Sequence, residues 1–199
     1  MNFSHHKKGY SLVEVMVAIS ILMLAIAGPL TIAAKGLQSA QYAKDQIAAF
    51  LLAQEGIEAF VSVRNQAIIE GIRAGNMDNV WNWTNHTSGG SGISYCFDNA
   101  GCNIDFRSEN VIAGGSLVSC SNLNNCLLDY RASENPSPYR VNDGTASDDS
   151  IFTRVIKISE VNSNELKITS TVSWSSKVLG GQTKDVTLTS AIFKLYETP

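Results

Sequence analysis

The twenty-five consecutive residues from Tyr10 to Ala34 contain one charged side chain, Glu14. At ~1.5 Å per residue such a run makes ~37 Å of helix, enough to cross the hydrocarbon core of a bilayer. The chain is therefore expected to be anchored in a membrane. His5, His6, Lys7 and Lys8 stand directly before the run, and no cluster of bases follows it closely. The basic-flank rule then holds the N-terminus in the cytoplasm and places everything after Lys35 outside. A cleaved secretory signal competes, because Ala25-Ile26-Ala27 has the small-x-small look of a signal-peptidase site. That reading leaves Glu14 without a use. A charge near the middle of a membrane helix costs roughly 2.5–3.5 kcal/mol, less near an end, where the side chain can instead snorkel to water.

The start of the run is specific in its combination of features: a short basic leader, then Gly9, the aromatic Tyr10, and Ser11-Leu12-Val13-Glu14 opening the apolar helix. It resembles a type IV prepilin processing site. In that family a prepilin peptidase cuts after the glycine and N-methylates the new first residue, and a glutamate occupies the fifth mature position. The resemblance puts these at Gly9, Tyr10 and Glu14, with tyrosine where phenylalanine is usual. It implies an α+β, pilin-like fold, in which a long N-terminal helix, transmembrane and then amphipathic, packs on a C-terminal antiparallel sheet. The implied role is a minor pilin or pseudopilin of a type IV pilus or a type II secretion-like filament. The implied partners are other pilin or pseudopilin subunits, the prepilin peptidase, the inner-membrane assembly platform and the lipid bilayer. Localisation follows as a single-pass inner-membrane protein that passes into an extracytoplasmic filament.

Cleavage gives Glu14 a physical task. The new ammonium of Tyr10, packed among apolar helices, needs a counter-charge in low dielectric, and Glu14 of an adjacent subunit can supply it. The formal charge of the chain is −3, and loss of Lys7 and Lys8 with the leader makes it −3 − 2 = −5. Such a balance advertises no broad basic surface, so nucleic acid is disfavoured as a partner.

The expected organisation is a leader over 1–9, a membrane or filament-core half-helix over 10–34, an amphipathic half over 35–75, a loop-rich section over 76–150 and a sheet over 151–199. In the amphipathic half, Ile47, Phe50, Leu51, Ile57, Val61, Ile68 and Ile72 recur at three- and four-residue offsets, with Lys44, Asp45, Gln54, Glu58 and Arg64 largely between them. This stripe is expected to be the face buried on the sheet. Gly28-Pro29 predicts a kink or local melting, and Gly71 and Gly75 mark the exit.

All four cysteines fall in the loop-rich section, as Cys96 and Cys102 and as Cys120 and Cys126, each pair spaced C-x5-C. Each pair is followed, after two residues, by aspartate, an aromatic and arginine: Asp105-Phe106-Arg107 and Asp129-Tyr130-Arg131. Ser-Glu-Asn recurs too, at Ser108 and Ser133, so the phrase reads as a short internal repeat. An oxidising compartment makes disulfides the default. The two local closures are favoured, with a crossed pairing as competitor, and the bonds are expected chiefly to hold exposed loops in shape. A zinc site is disfavoured by the wide spacing.

The last fifty residues alternate with period two. Leu166, Ile168, Ser170, Val172 and Trp174 share one face, Val186, Leu188, Ser190 and Ile192 repeat the pattern, and Phe152, Ile156 and Ile158 suggest a preceding strand. Asn162-Ser163-Asn164 and Gly180-Gly181 supply turns. This ending is similar to the last third of minor pilins of the PilV type and minor pseudopilins of the GspI type.

Other features carry less. Asn142 to Asp149 offers oxygen ligands without EF-hand spacing and reads as a solvated acidic loop. Trp81 and Trp83 read as loop anchors, and the glycosylation triplets at Asn82 and Asn85 as chance matches. His86 is the one histidine outside the leader, and no catalytic motif appears, so no enzyme, no cofactor and no metal is expected. The alternative from another class is a membrane-tethered binding module, an adhesin for glycans or DNA, that never joins a filament.

Overall fold

The computed structural model describes residues 9–75, 93–105, 117–131, 138–141, 149–176 and 180–193. Expectations on the leader residues His5 to Lys8, on Trp81, Trp83 and His86, on the Asn82 and Asn85 triplets, on Phe106 to Asn110, on Ser133-Glu134-Asn135 and on the loop from Asn142 to Asp148 lie outside the described residues.

A single helix, α1 (Leu12–Ala74), takes in both the apolar run and the amphipathic stretch. It continues through Gly28-Pro29 rather than melting there. Thr31 Oγ1 donates to Gly28 O at 2.8 Å and Ser20 Oγ to Met16 O at 2.8 Å, so these two hydroxyls are satisfied within the helix, as a lipid environment requires. Gly75, with φ 65°, ends the helix in the left-handed conformation that glycine adopts without penalty, while Gly71 stays helical and buried. Contacts divide the chain into two units, Met1–Lys44 and Asp45–Pro199.

The second unit packs its share of α1 on an antiparallel sheet. Three long strands dominate: β5 (Asp149–Asn162), β6 (Glu165–Ser176) and β7 (Gln182–Phe193). β5 pairs with β6 through Phe152↔Trp174 and Ile158↔Ile168, and β6 with β7 through Val172↔Val186 and Leu166↔Ile192. The alternation read from sequence therefore falls on one face, and in β6 that face is fully buried. In the β5–β6 turn, the Asn164 amide donates to Asn162 Oδ1 at 2.9 Å. Before β7, Gly180 and Gly181 sit at φ 71° and 80°.

Four short strands complete the sheet: β1 (Cys102–Ile104), β2 (Leu117–Ser119), β3 (Leu127–Tyr130) and β4 (Tyr139–Val141). β1 meets β5 at Cys102↔Ile156, and β3 meets it at Leu127↔Thr153 and Asp129↔Asp149. Because Ile156 and Thr153 also pair with β6, both short strands lie along the opposite margin of β5. The two cysteine phrases thus sit end to end on one strand. Gly101, with φ 77°, seals the first of them: a Cβ there would lie 2.7 Å from Val155 Cγ1 and 2.8 Å from Ile156 O. Its carbonyl accepts from the Cys120 amide at 3.0 Å, joining the two phrases.

The helix face turned to the sheet is not the one the large apolar residues predict. Ala49, Leu52, Ala53, Ala59, Phe60 and Val63 are at most 6% exposed, whereas Ile47, Phe50, Leu51 and Ile72 are 46–62% exposed. Of the predicted stripe, Ile57 and Val61 flank the core and Ile68 is half-buried. The reason is distance. A Cβ on Gly56 would stand 2.8 Å from Ser170 Oγ and 3.0 Å from Ile156 Cδ1, so small side chains are what allow helix and sheet to approach.

At this contact the sheet face carries a charge. Arg154 is 2% exposed. It donates from Nε to Asn103 Oδ1 at 2.8 Å, from Nη2 to Ile104 O at 2.6 Å, and from Nη1 to Leu52 O at 3.3 Å and Glu55 Oε2 at 3.2 Å. One guanidinium therefore ties helix, β1 and β5 together. Burial pushes it below its usual range, and the Glu55 and Asp105 carboxylates pull it back up. Nearby, Phe152 links Trp174 to Tyr139, and Tyr139 to Tyr130, through ring centroids 6.2, 5.7 and 5.1 Å apart.

Candidate assembly interface

The bond between Gly9 and Tyr10 lies in exposed, non-helical backbone immediately before α1. Tyr10 is 82% exposed, and nothing stands within 4 Å of where a Gly9 Cβ would be. The Val15 amide donates to Ser11 O at 3.2 Å, closing the first turn. Ser11-x-x-Glu14 has the spacing of a capping box, and a carboxylate in the first turn is favoured by the helix dipole by roughly 0.3–1 kcal/mol.

That gain gives Glu14 a role within its own helix. A newly freed ammonium at Tyr10 would stand at the positive end of the same dipole, which disfavours it and raises its need for an anion. Glu14 is exposed on a helix face shared with Ala18 and Leu22 and bordered by Val15 and Ile19, and Tyr10 just before the helix completes a shallow apolar trough. No other charged side chain occurs between Tyr10 and Ala34. Every described side chain of this apolar segment is exposed in the isolated chain, including Leu12, Leu24, Leu30 and Ile32 at 67–76%. A surface of this kind needs lipid or other helices around it.

A second exposed surface was missed in the sequence because it was read as core. Ile47, Phe50, Leu51, Ile69 and Ile72 look outward from α1 in the second unit, opposite the small residues that touch the sheet. The signal was available. Ala49, Ala53, Gly56 and Ala59 form their own row at helical spacing, and a row of small residues marks a close approach as surely as a row of large ones marks bulk.

The cysteines lie in the second unit and are bonded as two local closures, Cys96–Cys102 and Cys120–Cys126, with Cα atoms 4.6 and 5.5 Å apart. No free thiol remains to ligate zinc. All four are at most 3% exposed, and Cys96 and Cys102 belong to the core cluster with Phe60 and Ile156. These bonds are part of the core, which corrects the expectation that they chiefly brace exposed loops. The sheet takes up the residues beside each pair as β1 and β3 and draws the sulfurs inward. Among the described residues no group of three or more histidines, cysteines or acids is placed to hold a metal.

Residues 4–28 match the family described as the prokaryotic N-terminal methylation motif, the signature of type IV pilins. No curated protein and no solved structure matches the chain.

Proposed function

We propose that this protein is a filament subunit, a minor pilin or pseudopilin. It waits in the inner membrane on its apolar helix, is cut after Gly9 by a prepilin peptidase and methylated at Tyr10, and is then packed helix to helix by an assembly platform. The observation that carries this reading is the coincidence of three features in one short stretch. A peptide bond is exposed between Gly9 and Tyr10, an uncovered apolar helix begins two residues later, and its one carboxylate stands at Glu14. Lone apolar helices serve as anchors in many proteins. An anchor gains nothing from a charge beside a cutting site, whereas a subunit whose cut end must be neutralised by its neighbour does.

The core of the second unit supports the same reading. Its two disulfides and the Arg154 bonds to Leu52, Glu55, Asn103 and Ile104 all lie within the second unit, which supports a sheet that stays folded while the apolar helix exchanges lipid for protein neighbours. The test is Glu14→Ala in the natural host, with membrane and sheared-filament fractions compared. The expected result is normal cleavage and membrane level with loss from the filament fraction, because removing one member of a buried pair costs about 3–5 kcal/mol. Intact mass of the wild-type protein should give a chain starting at a methylated Tyr10. Incorporation of the variant at wild-type level would overturn the role of Glu14. Anchoring of the wild-type chain without any incorporation would leave a tethered binding module in its place.

A further inference from the structure

At the β7 margin of the sheet three things are left incomplete together. Among the described residues β7 pairs with β6 alone, so every second amide and carbonyl along it points away from the sheet with no strand to meet it. The edge is long: from Gln182 to Phe193 the register with β6 is unbroken, and no proline interrupts it. The inward row is also unfinished. In β6 that row is buried from Leu166 to Ser176, yet in β7 Val186, Leu188 and Ser190 are only half-buried and Ile192 alone is closed. The third open side belongs to α1. Glu55 reaches Arg154, whose other acceptors include Asn103 and Ile104 of β1, so that flank of the helix faces the β1 side of β5. Ile57 stands ~200° round the helix from Glu55, with Val61 one turn on and Phe50 two turns back, and this flank therefore looks toward β7. Ile57 and Val61 are only partly buried, and Phe50 is 46% exposed. A strip of core between this flank and the β7 row is covered on one side only.

The strip has a cation at each end. Leu52 O meets Arg154, in the cross-strand row of Val172 and Val186, and Phe60 shares a core cluster with Ile192, so α1 and β7 run the same way. Lys184, opposite Trp174 and half-buried, begins the inward row, and Arg64, half-buried and bonded to Asn65 Oδ1 at 2.9 Å, lies at the Ile192 end. Among the described residues neither meets a carboxylate.

We propose that this margin is the docking site for an extended segment of a partner protein, which adds to the sheet beyond β7. Its alternate side chains are small and apolar and lie in the strip, and a carboxylate near each end meets Lys184 and Arg64. The unpaired backbone groups select a strand, because a helix or a folded surface would leave them bare. The row of Val186, Leu188 and Ser190 selects apolar side chains at every second residue, and the two cations select acids over bases at the ends. From Lys184 to Ile192 there are 192 − 184 = 8 steps, ~27 Å of strand, so about nine residues are read. The site stands apart from the filament reading and lies wholly in the second unit.

The test uses the full chain in detergent with a synthetic peptide, Glu-Thr-Val-Thr-Val-Thr-Val-Thr-Glu, as the probe. The expected result is saturable binding by fluorescence anisotropy, with slowed hydrogen exchange at alternate amides between Lys184 and Ile192. K184E and R64E should each weaken binding about fivefold, the upper end for an exposed pair, whereas K167E, on the far face of β6, should leave it unchanged. Should R64E unfold the chain, a peptide with lysine at both ends tests the same charges on the wild-type protein and should bind correspondingly more weakly. N-methylation of the odd or of the even residues blocks one hydrogen-bonding edge of the peptide each, so one methylated form should bind and the other should not. The proposal is overturned by lack of saturable binding, by protection confined to residues outside β7, by equal binding of the two methylated forms, or by indifference to the charges at the peptide ends. A homodimer in the peptide-free sample, protecting the same amides, would overturn it too by making a second copy the occupant.

Discussion

Replacing Arg154 with methionine tests whether one guanidinium ties β1, β5 and the helix together. Two of its bonds are dry and short, to Asn103 Oδ1 at 2.8 Å and to Ile104 O at 2.6 Å, and hydrogen bonds to a charged group contribute about 1.5–3 kcal/mol each. Against their loss stands the release of a buried charge from its desolvation and the apolar contact that methionine supplies. Asn103 Oδ1 also keeps the Ile104 amide at 2.9 Å. The net expectation is a loss of about 2–4 kcal/mol, a shift of about 1–2 M in the urea midpoint at the usual slope for small domains. Glu55→Gln should cost far less, about 1 kcal/mol at most, because that carboxylate is 25% exposed and its pairing is screened. The assay is urea unfolding of the full chain in detergent, followed by tryptophan fluorescence. The tie is refuted if Arg154→Met unfolds within 0.5 M, roughly 1 kcal/mol, of wild type. It is equally refuted if Glu55→Gln is as damaging as Arg154→Met, since the ion pair alone would then carry the effect.

Three further outcomes follow from the same core. Gly101→Ala should destabilise by about 2–4 kcal/mol in the same assay, since it combines a positive φ with contacts under 3 Å to β5, one of them to backbone. Gly56→Ala should lose about 1–2 kcal/mol, its gain in helix propensity offset by overpacking on Ser170 Oγ. Adding Ser170→Ala, which also removes a buried hydroxyl with no hydrogen-bond partner among the described residues, should recover most of that loss; strict additivity in the double-mutant cycle would show that the two side chains do not meet. Tyr139 has its pKa raised above 10.0 by burial first, then by Tyr130 and Asp45. The sign is that of a raised group: its contribution is intact below the unfolded value and is lost as pH climbs past it. Tyr139→Phe should therefore flatten the decline of stability above about pH 10, and an unchanged alkaline limb in a pH series of melts would discount the burial of that hydroxyl.

The ends of the chain were legible because local chemistry decides them. A long apolar run and a strict period of two do not depend on what lies elsewhere, so the helix from Leu12 and the face of Leu166 to Trp174 could be read directly. The middle of α1 could not be read in this way. Ile47, Phe50 and Leu51 have the right spacing for a buried face and compete with the row of Ala49, Ala53, Gly56 and Ala59, and the approach of Ser170 to Gly56 decides between the two. Arg154 was passed over for a related reason. It holds an inward position on β5 between Phe152 and Ile156, where alternation predicts an apolar residue, and its acceptors come from Leu52, Glu55 and Asn103, about fifty to a hundred residues away in sequence. The disulfide pairing was legible from spacing, but the depth of the sulfurs was not, because the strands that draw them inward are only three and four residues long.

The margin of β5 that receives the two cysteine phrases behaves like a berth of fixed length. Pairings from Asp149 to Ile156 occupy it, and among the described residues Lys157 to Asn162 have no strand on that side. Deleting the second phrase would leave Asn103 and Ile104 in place to hold Arg154, whereas deleting the first would remove them along with the sulfurs that pack on Phe60. A chain with a third phrase inserted would find room for a single short strand, after which the sheet could lengthen no further on that flank.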